Sequence, residues 1–204
     1  MKQEEVGKHF DQIASKYDYY KKNHGYYHNA IKRGLKSLIK PGTNILDWGC
    51  GTGEILAFLK PSSGVGFDIS SEMIRLARHK FNKVRNLRFV DSQNQISGAF
   101  DYIIMVDVVE HLASPQKTFK DLSRFTSKNT QVVVCFVGPV WEPAIWFLGV
   151  LRPKTPEGPH KRLSKSEVVQ YSRNAGLRLQ KDYNFRIFPW LPISPITILI
   201  FKAS

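Results

Sequence analysis

The feature that most limits how this 204-residue chain can fold is a glycine-rich turn between a short apolar run and a helical segment. The run Asn44–Asp47 leads into the turn at residues 49–53, Gly-Cys-Gly-Thr-Gly, and Glu54–Lys60 then has a helical pattern. Further strand-like runs alternate with helical stretches as far as Ala175. Such alternation predicts an α/β fold in which a parallel sheet carries helices on both faces.

The C-terminal part of the sequence departs from this alternation. Two strand-like runs, Leu177–Ile187 and Ile196–Phe201, are separated only by the proline-rich residues 188–195. A crossover to a parallel partner needs about a dozen residues or more, so these two runs are predicted to pair antiparallel. We therefore expect a seven-stranded, mostly parallel sheet that ends in an antiparallel hairpin.

Two acidic residues at the ends of neighbouring strands indicate what the glycine turn could hold. A dinucleotide-binding loop would read G-x-G-x-x-G, but here Glu54 stands where the last glycine belongs. Asp47, just before the turn, would repel a pyrophosphate and would attract a cation. Asp68, about twenty residues on, can accept hydrogen bonds from ribose hydroxyls. Together these residues favour a nucleoside with a cationic tail; the alternative is a glycine turn with incidental surface acids.

The same residues, with several others, resemble the class I S-adenosylmethionine (SAM)-dependent methyltransferases, and most closely the ubiquinone, menaquinone and small-molecule subgroup. The matching segments are Phe10–Asp18, Leu46–Gly53, Gly66–Ser70 with Met73, Phe89–Ser92 and Phe100–Leu112. The resemblance implies a Rossmann-like fold, SAM as cofactor, S-adenosylhomocysteine (SAH) as product and no metal. Trp48 replaces a smaller aliphatic residue of the family, and residues 127–130 replace its usual Lys-Pro-Gly-Gly turn.

The resemblance also implies a set of cofactor-binding residues. They are Tyr17, Asp47, Gly49, Cys50, Gly51, Gly53, Asp68, Ile69, Met73, Asp91, Ser92 and Val106. In this set Asp91 would accept from the adenine amine, the Ser92 backbone would meet the adenine ring, and Val106 would touch the methionine part.

We expect one domain, residues 1–204, with a helical cap at 1–40 and a lid insertion at 138–163. The cap and the lid mix aromatic, aliphatic and basic residues, which suits O- or C-methylation of a small, apolar or lipid-like acceptor. A lid touching a membrane surface and a lid simply packed on the core remain open alternatives. His160, in the lid, is the candidate general base; a structural or solvent-exposed histidine is the other interpretation. We expect His111 to shape the pocket.

The net charge of +13 favours an anionic partner, although a generally basic surface explains it equally well. RNA methylation would use this charge, yet the sequence contains neither an appended RNA-binding module nor an Asn-Pro-Pro-Tyr motif. A non-catalytic SAM-binding protein is a further alternative. The two cysteines, Cys50 and Cys135, show no spacing typical of a disulfide framework, which predicts a reducing cytoplasm. No signal peptide and no apolar window of about 18 residues is found, and peripheral membrane contact is left open.

Overall fold

The structure is a computed structural model that describes residues 2–138, 156, 158–187 and 194–203. Its α-helices are α1 (Gln3–Asn23), α2 (Gly25–Leu38), α3 (Glu54–Leu59), α4 (Ser71–Lys80), α5 (Pro115–Ser123) and α6 (Lys165–Asn174). Its strands are β1 (Asn44–Trp48), β2 (Ser63–Phe67), β3 (Leu87–Val90), β4 (Tyr102–Val106), β5 (Gln131–Val137), β6 (Leu177–Phe185) and β7 (Ile196–Ala203).

The strands form one sheet in the order β3-β2-β1-β4-β5-β7-β6. The pairs from β3 to β5 are parallel, whereas β7 runs antiparallel to both β5 and β6. The predicted Rossmann-like sheet with a C-terminal antiparallel hairpin is therefore confirmed. Within this part of the sheet, β7 lies between β5 and β6.

Helices cover both faces of this sheet, as the alternating pattern predicted. On one face, Phe119 of α5 and Val168 of α6 pack with alternate residues of the central strands. On the other face, Leu35 of α2 and Ile74 of α4 join a second buried cluster. Strands buried on both faces need apolar side chains at nearly every position, which explains the uninterrupted run 132–136 in β5.

The N-terminal region, for which a helical cap is predicted, forms two helices, α1 and α2. The break lies at His24, whose backbone N–H turns back to the carbonyls of Lys21 and Lys22. Gly25, a weak helix former, begins α2. The break lets α2 pack on the sheet while α1 follows a separate course over the glycine turn.

The later helices begin at local capping motifs. The Ser114 side chain accepts from the Lys117 N–H at the start of α5, and Ser164 and Glu167 form a capping box at the start of α6. Most of the predicted lid, including Trp146 and Phe147, lies outside the described residues. None of the helices in the described part of the chain is long and apolar enough to cross a membrane.

Candidate functional site

A cavity lies at the carboxyl ends of β1, β2 and β4, the position at which open α/β sheets bind ligands. Its walls come from α1, from the glycine turn, from the residues after β2 and from the residues after β4. Because β1 lies between β2 and β4, the chain segments that leave these three strands converge on one region.

The glycine turn is held close to the end of β2. The N–H groups of Gly49 and Cys50 donate to the carbonyl of Phe67 at 2.7 and 2.9 Å. Gly49 has a φ of 81°, and a Cβ there would lie 2.4 Å from a Val108 methyl carbon. Only glycine fits such a conformation and such a close approach. The turn can therefore bring its backbone N–H groups against a ligand.

Asp68, the residue after β2, lines the cavity and is rigidly held. Its Oδ2 accepts from the Gly51 N–H at 2.8 Å and its Oδ1 accepts from the Ser70 N–H at 2.9 Å. Burial raises the pKa of Asp68, while these two backbone hydrogen bonds lower it. Since a carboxylate oxygen can accept more than one hydrogen bond, both oxygens retain acceptor capacity for a ligand.

Asp47, at the end of β1, is 2% exposed. Among the described residues its Oδ2 has no hydrogen-bond partner. Burial raises its pKa to about 7; the nearby Lys21 charge lowers the pKa and the Asp68 charge raises it. Leaving a buried polar atom unpaired costs about 1–3 kcal/mol, so an orphaned carboxylate oxygen is suited to a ligand that carries a donor. Asp47 lies beside the cavity and is not part of its lining.

Asp107, the residue after β4, is a third carboxylate at this edge, and the sequence interpretation missed it. It lines the cavity, has a φ of 54°, and accepts a 2.6 Å hydrogen bond from the Tyr27 hydroxyl. The rule that identified Asp47 and Asp68, an acid directly after a buried strand, would have found it too. Glu110 and His111 are close, but in the described segments no three His, Cys, Asp or Glu side chains are grouped to hold a metal.

Helix α1 covers the cavity and is fastened by two aspartates. Asp11 accepts from the Ser70 hydroxyl at 2.6 Å and from the Glu72 N–H at 3.1 Å, at the start of α4. Asp18 accepts from the Thr52 hydroxyl at 2.6 Å and from the Lys80 ammonium at 2.7 Å. These contacts hold the α1 side chains Phe10 and Tyr17 in the cavity wall.

The remaining predicted cofactor residues fall into two groups. The first group lines the cavity: Tyr17, Gly49, Gly51, Ile69, Met73 and Val106. The second group lies next to it: Cys50 is buried behind the turn, Gly53 caps α3, and Asp91 and Ser92 are exposed just after β3.

His160 lies outside this cavity. It borders a neighbouring groove with Lys161 and Tyr171, and its Nδ1 is 2.9 Å from the Gly158 carbonyl. The ring of His111 is 6.2 Å from that of His160 and does line the cavity.

His111 is fixed in one tautomer by its backbone partner. Its Nδ1 is 3.0 Å from the carbonyl of Pro159, which can only accept, so Nδ1 carries the hydrogen. Burial lowers the pKa of His111, which favours the neutral ring.

The chain is similar in sequence to proteins of a known family. Residues 19–181 match the family described as "Methyltransferase domain". An uncharacterized protein of Methanocaldococcus jannaschii is 38% identical over 94 residues, which cover 44% of this chain and 36% of that protein. The ubiquinone biosynthesis O-methyltransferase of Aromatoleum aromaticum is 26% identical over 67% of this chain and 64% of its own length. The chain spans 36–54% of the length of the first three curated relatives.

The fold is likewise shared with solved methyltransferases. The magnesium protoporphyrin IX methyltransferase of Synechocystis, solved with bound SAH, superposes with a TM-score of 0.69 at 17% identity over 99% of both chains. The match to the methyltransferase family covers most of the chain and agrees with the seven-stranded sheet and the glycine turn. This chain belongs to the class I SAM-dependent methyltransferases.

Proposed function

We propose that this protein transfers the methyl group of SAM to a small acceptor that is apolar or lipid-like, on oxygen or carbon. The observation that carries the proposal is the geometry of Asp68. Its two oxygens are held by the N–H groups of Gly51 and Ser70, and the side chain lines the cavity beside the glycine turn. A carboxylate fixed in this way is suited to two adjacent ribose hydroxyls.

The other predicted cofactor residues would contact successive parts of the SAM molecule around the cavity. Asp47, with its buried and unpartnered oxygen, would bind the ammonium of the methionine part, and Val106 would contact its chain. Asp91 and the Ser92 backbone would bind adenine at the exposed end of β3. The other ligand contacts in this assignment are Tyr17, Gly49, Cys50, Gly51, Gly53, Ile69 and Met73. When bound, SAM supplies an electrophilic methyl group on a sulfonium.

The acceptor side of the cavity supports a small molecule with apolar character. Phe10 of α1 and Leu112 after β4 contribute apolar surface there, next to the polar groups of Asp107 and His111. A few polar groups in an apolar wall are typical of small-molecule sites. The similarity to an enzyme described as a ubiquinone biosynthesis O-methyltransferase points to the same class of acceptor.

Deprotonation of an acceptor needs a base within hydrogen-bond reach of the proton that the acceptor loses. His160 stays a prediction for this role, and it would have to act from the neighbouring groove. His111 is the nearer histidine, because it lines the cavity and its Nδ1 hydrogen leaves Nε2 as the acceptor atom.

The first test is calorimetric titration of the purified chain with SAH, with NADH as the control ligand. Micromolar binding of SAH alone is the expected result, and a folded sample that binds no SAH would contradict the proposal. Radiolabelled SAM with a panel of phenols, quinols, fatty acyl compounds and bulk RNA then defines the acceptor. Labelling of RNA and of no small molecule would replace the proposed acceptor class.

A further inference from the structure

Asp107 lines the cavity in a strained backbone conformation. Its φ of 54° lies in the left-handed region, where residues other than glycine are uncommon. Backbone strain of this kind persists only where the surrounding structure fixes the residue. Here the Asp107 N–H donates to the Cys135 carbonyl at 2.9 Å, which holds the backbone to β5. The side chain is thereby fixed in the cavity wall between Val106 and Val108.

Only one of the two carboxylate oxygens of Asp107 is occupied by the described residues. Oδ1 accepts the 2.6 Å hydrogen bond from Tyr27 of α2. Burial raises the pKa of Tyr27 well above its ordinary value, so the phenol stays a donor at neutral pH. No residue in the described part of the chain donates to Oδ2, which leaves that atom as an acceptor for a ligand in the cavity.

Titratable groups face Asp107 from every element packed against it. They are Tyr17 and Lys21 on α1, Tyr27 on α2, Glu110 and His111 after β4, and Cys135 on β5. Burial is the main cause that raises the pKa of Asp107, and the Glu110 charge acts in the same direction. The Tyr27 hydrogen bond, the Lys21 charge and the neighbouring His111 ring oppose this rise. Such a carboxylate can take up a proton more readily than an ordinary surface aspartate.

We propose that Asp107, positioned by Tyr27, is the general base, and that the acceptor is therefore a hydroxyl compound such as a phenol or quinol. This inference rests on the proposed methyl transfer. As the O–CH3 bond forms and the S–CH3 bond breaks, the O–H bond of the acceptor also breaks. The proton moves to Asp107 Oδ2, so the products are the methyl ether, SAH and a protonated Asp107.

The other acidic groups at this edge are less suited to the role. Asp68 has both oxygens engaged by backbone N–H groups, and Asp47 lies outside the cavity lining. His111 also lines the cavity and is the competing base, which the test has to separate from Asp107.

The test compares wild type with Asp107→Asn, Tyr27→Phe, His111→Gln and the control Asp182→Asn, which changes an exposed residue of β6. Asn tolerates a positive φ and still accepts from Tyr27, so Asp107→Asn removes the charge with little other change. Each protein is assayed with the best phenol or quinol from a panel and with the more acidic nitro-substituted analogue of that compound. SAH affinity is measured in parallel by calorimetry.

We expect Asp107→Asn to lower kcat/KM about 100-fold for the weakly acidic acceptor, the size of effect that a general base contributes. The loss should be less than about tenfold for the nitro compound above its own pKa, because that acceptor is already ionised. SAH affinity should stay within about threefold of wild type. Tyr27→Phe should move the acidic limb of the pH profile upward, since losing the hydrogen bond raises the pKa of Asp107.

Four results would overturn the inference. Equal losses for both acceptors would make Asp107 a structural residue, and a large loss of SAH affinity would make it a cofactor ligand. A selective loss in His111→Gln and not in Asp107→Asn would give the role to His111. Wild type that binds SAH yet methylates no hydroxyl compound refutes this inference alone, whereas wild type that binds no SAH refutes the proposed function itself.

Discussion

The ends of β2 and β4 each carry an aspartate that lines the same cavity, and the two are held in different ways. Asp68 is fixed by two backbone N–H groups at 2.8 and 2.9 Å. Asp107 is fixed by one phenol hydroxyl at 2.6 Å and by a strained backbone. A carboxylate with both oxygens held by backbone N–H groups is suited to binding the cofactor, whereas a buried carboxylate with one unoccupied oxygen can take up a proton. Aspartates at the ends of two strands of one sheet can therefore serve different purposes, one in cofactor binding and the other in proton transfer.

Asp68 and Asp107 should differ most clearly in how much each contributes to SAH affinity. Asp68→Ala should weaken SAH binding by about 100-fold, because charge-assisted hydrogen bonds of about 1.5–3 kcal/mol each are lost. It should also lower stability by about 1–2 kcal/mol, since the Gly51 and Ser70 N–H groups lose their acceptor. Calorimetric titration and thermal unfolding measure both. Unchanged affinity in the folded variant would refute the ribose assignment and remove the contrast with Asp107.

Asp47, on β1 between β2 and β4, should have an intermediate effect, which appears in the pH dependence of SAH binding. Its pKa is raised to about 7 by burial, and a bound ammonium would lower it, so binding should release protons near pH 7. SAH affinity should then fall about tenfold from pH 8 to pH 6. Titration in buffers of different ionisation enthalpy detects the released proton. Asp47→Asn should bind SAH weakly with a flat pH profile; an unchanged pH dependence in this variant would assign it to another group.

Asp47 also has a consequence for the stability of the ligand-free chain. A carboxyl whose folded pKa is raised contributes stability that is fully present below its unfolded pKa and is lost as the pH rises through its folded value near 7. The Tm of the wild type should therefore decrease relative to that of Asp47→Asn between about pH 4 and pH 7. Parallel Tm curves for the two proteins would show that Asp47 does not titrate in this range.

The weakest effect is expected for the ion pairs of Lys80, which hold α1. We expect α1 to stabilise the cavity wall around Asp68 more than the wall around Asp107. Lys80 bridges Asp18 of α1 and Glu54 of α3, and these side chains are about one-third exposed. Because partly exposed ion pairs contribute at most about 1 kcal/mol, Lys80→Met should weaken SAH binding only about two- to threefold. Lys117→Met, which breaks an exposed pair on α5, is the matched control. Faster hydrogen exchange in α1 with no change near Tyr27 would support the expected asymmetry, and the reverse pattern would contradict it.

Short-range signals in the sequence were sufficient for much of the fold. The alternation of strands and helices predicted the parallel sheet, and the short connection at 188–195 predicted the antiparallel hairpin. Ser164 and Glu167 marked the start of α6 because a capping box is a local motif. These features depend on residues a few positions apart, which periodicity and turn chemistry describe directly.

Contacts between distant residues were not predictable in this way. The hydrogen bond from Tyr27 to Asp107 joins residues 80 positions apart, and nothing in the local pattern around Tyr27 indicates it. His160 was predicted as the general base because it lies in the predicted lid beside basic residues, and the structure places it at the neighbouring groove.

Residue type and position along the chain were sufficient to predict the order of the elements, the glycine turn, and the acids Asp47 and Asp68. How each carboxylate is held, and which oxygen is left for a ligand, depends on contacts between elements that are distant in the chain. The pKa of a buried group depends on desolvation and on charges from several elements, so Asp107 acquires its properties only where α1, α2, β4 and β5 meet.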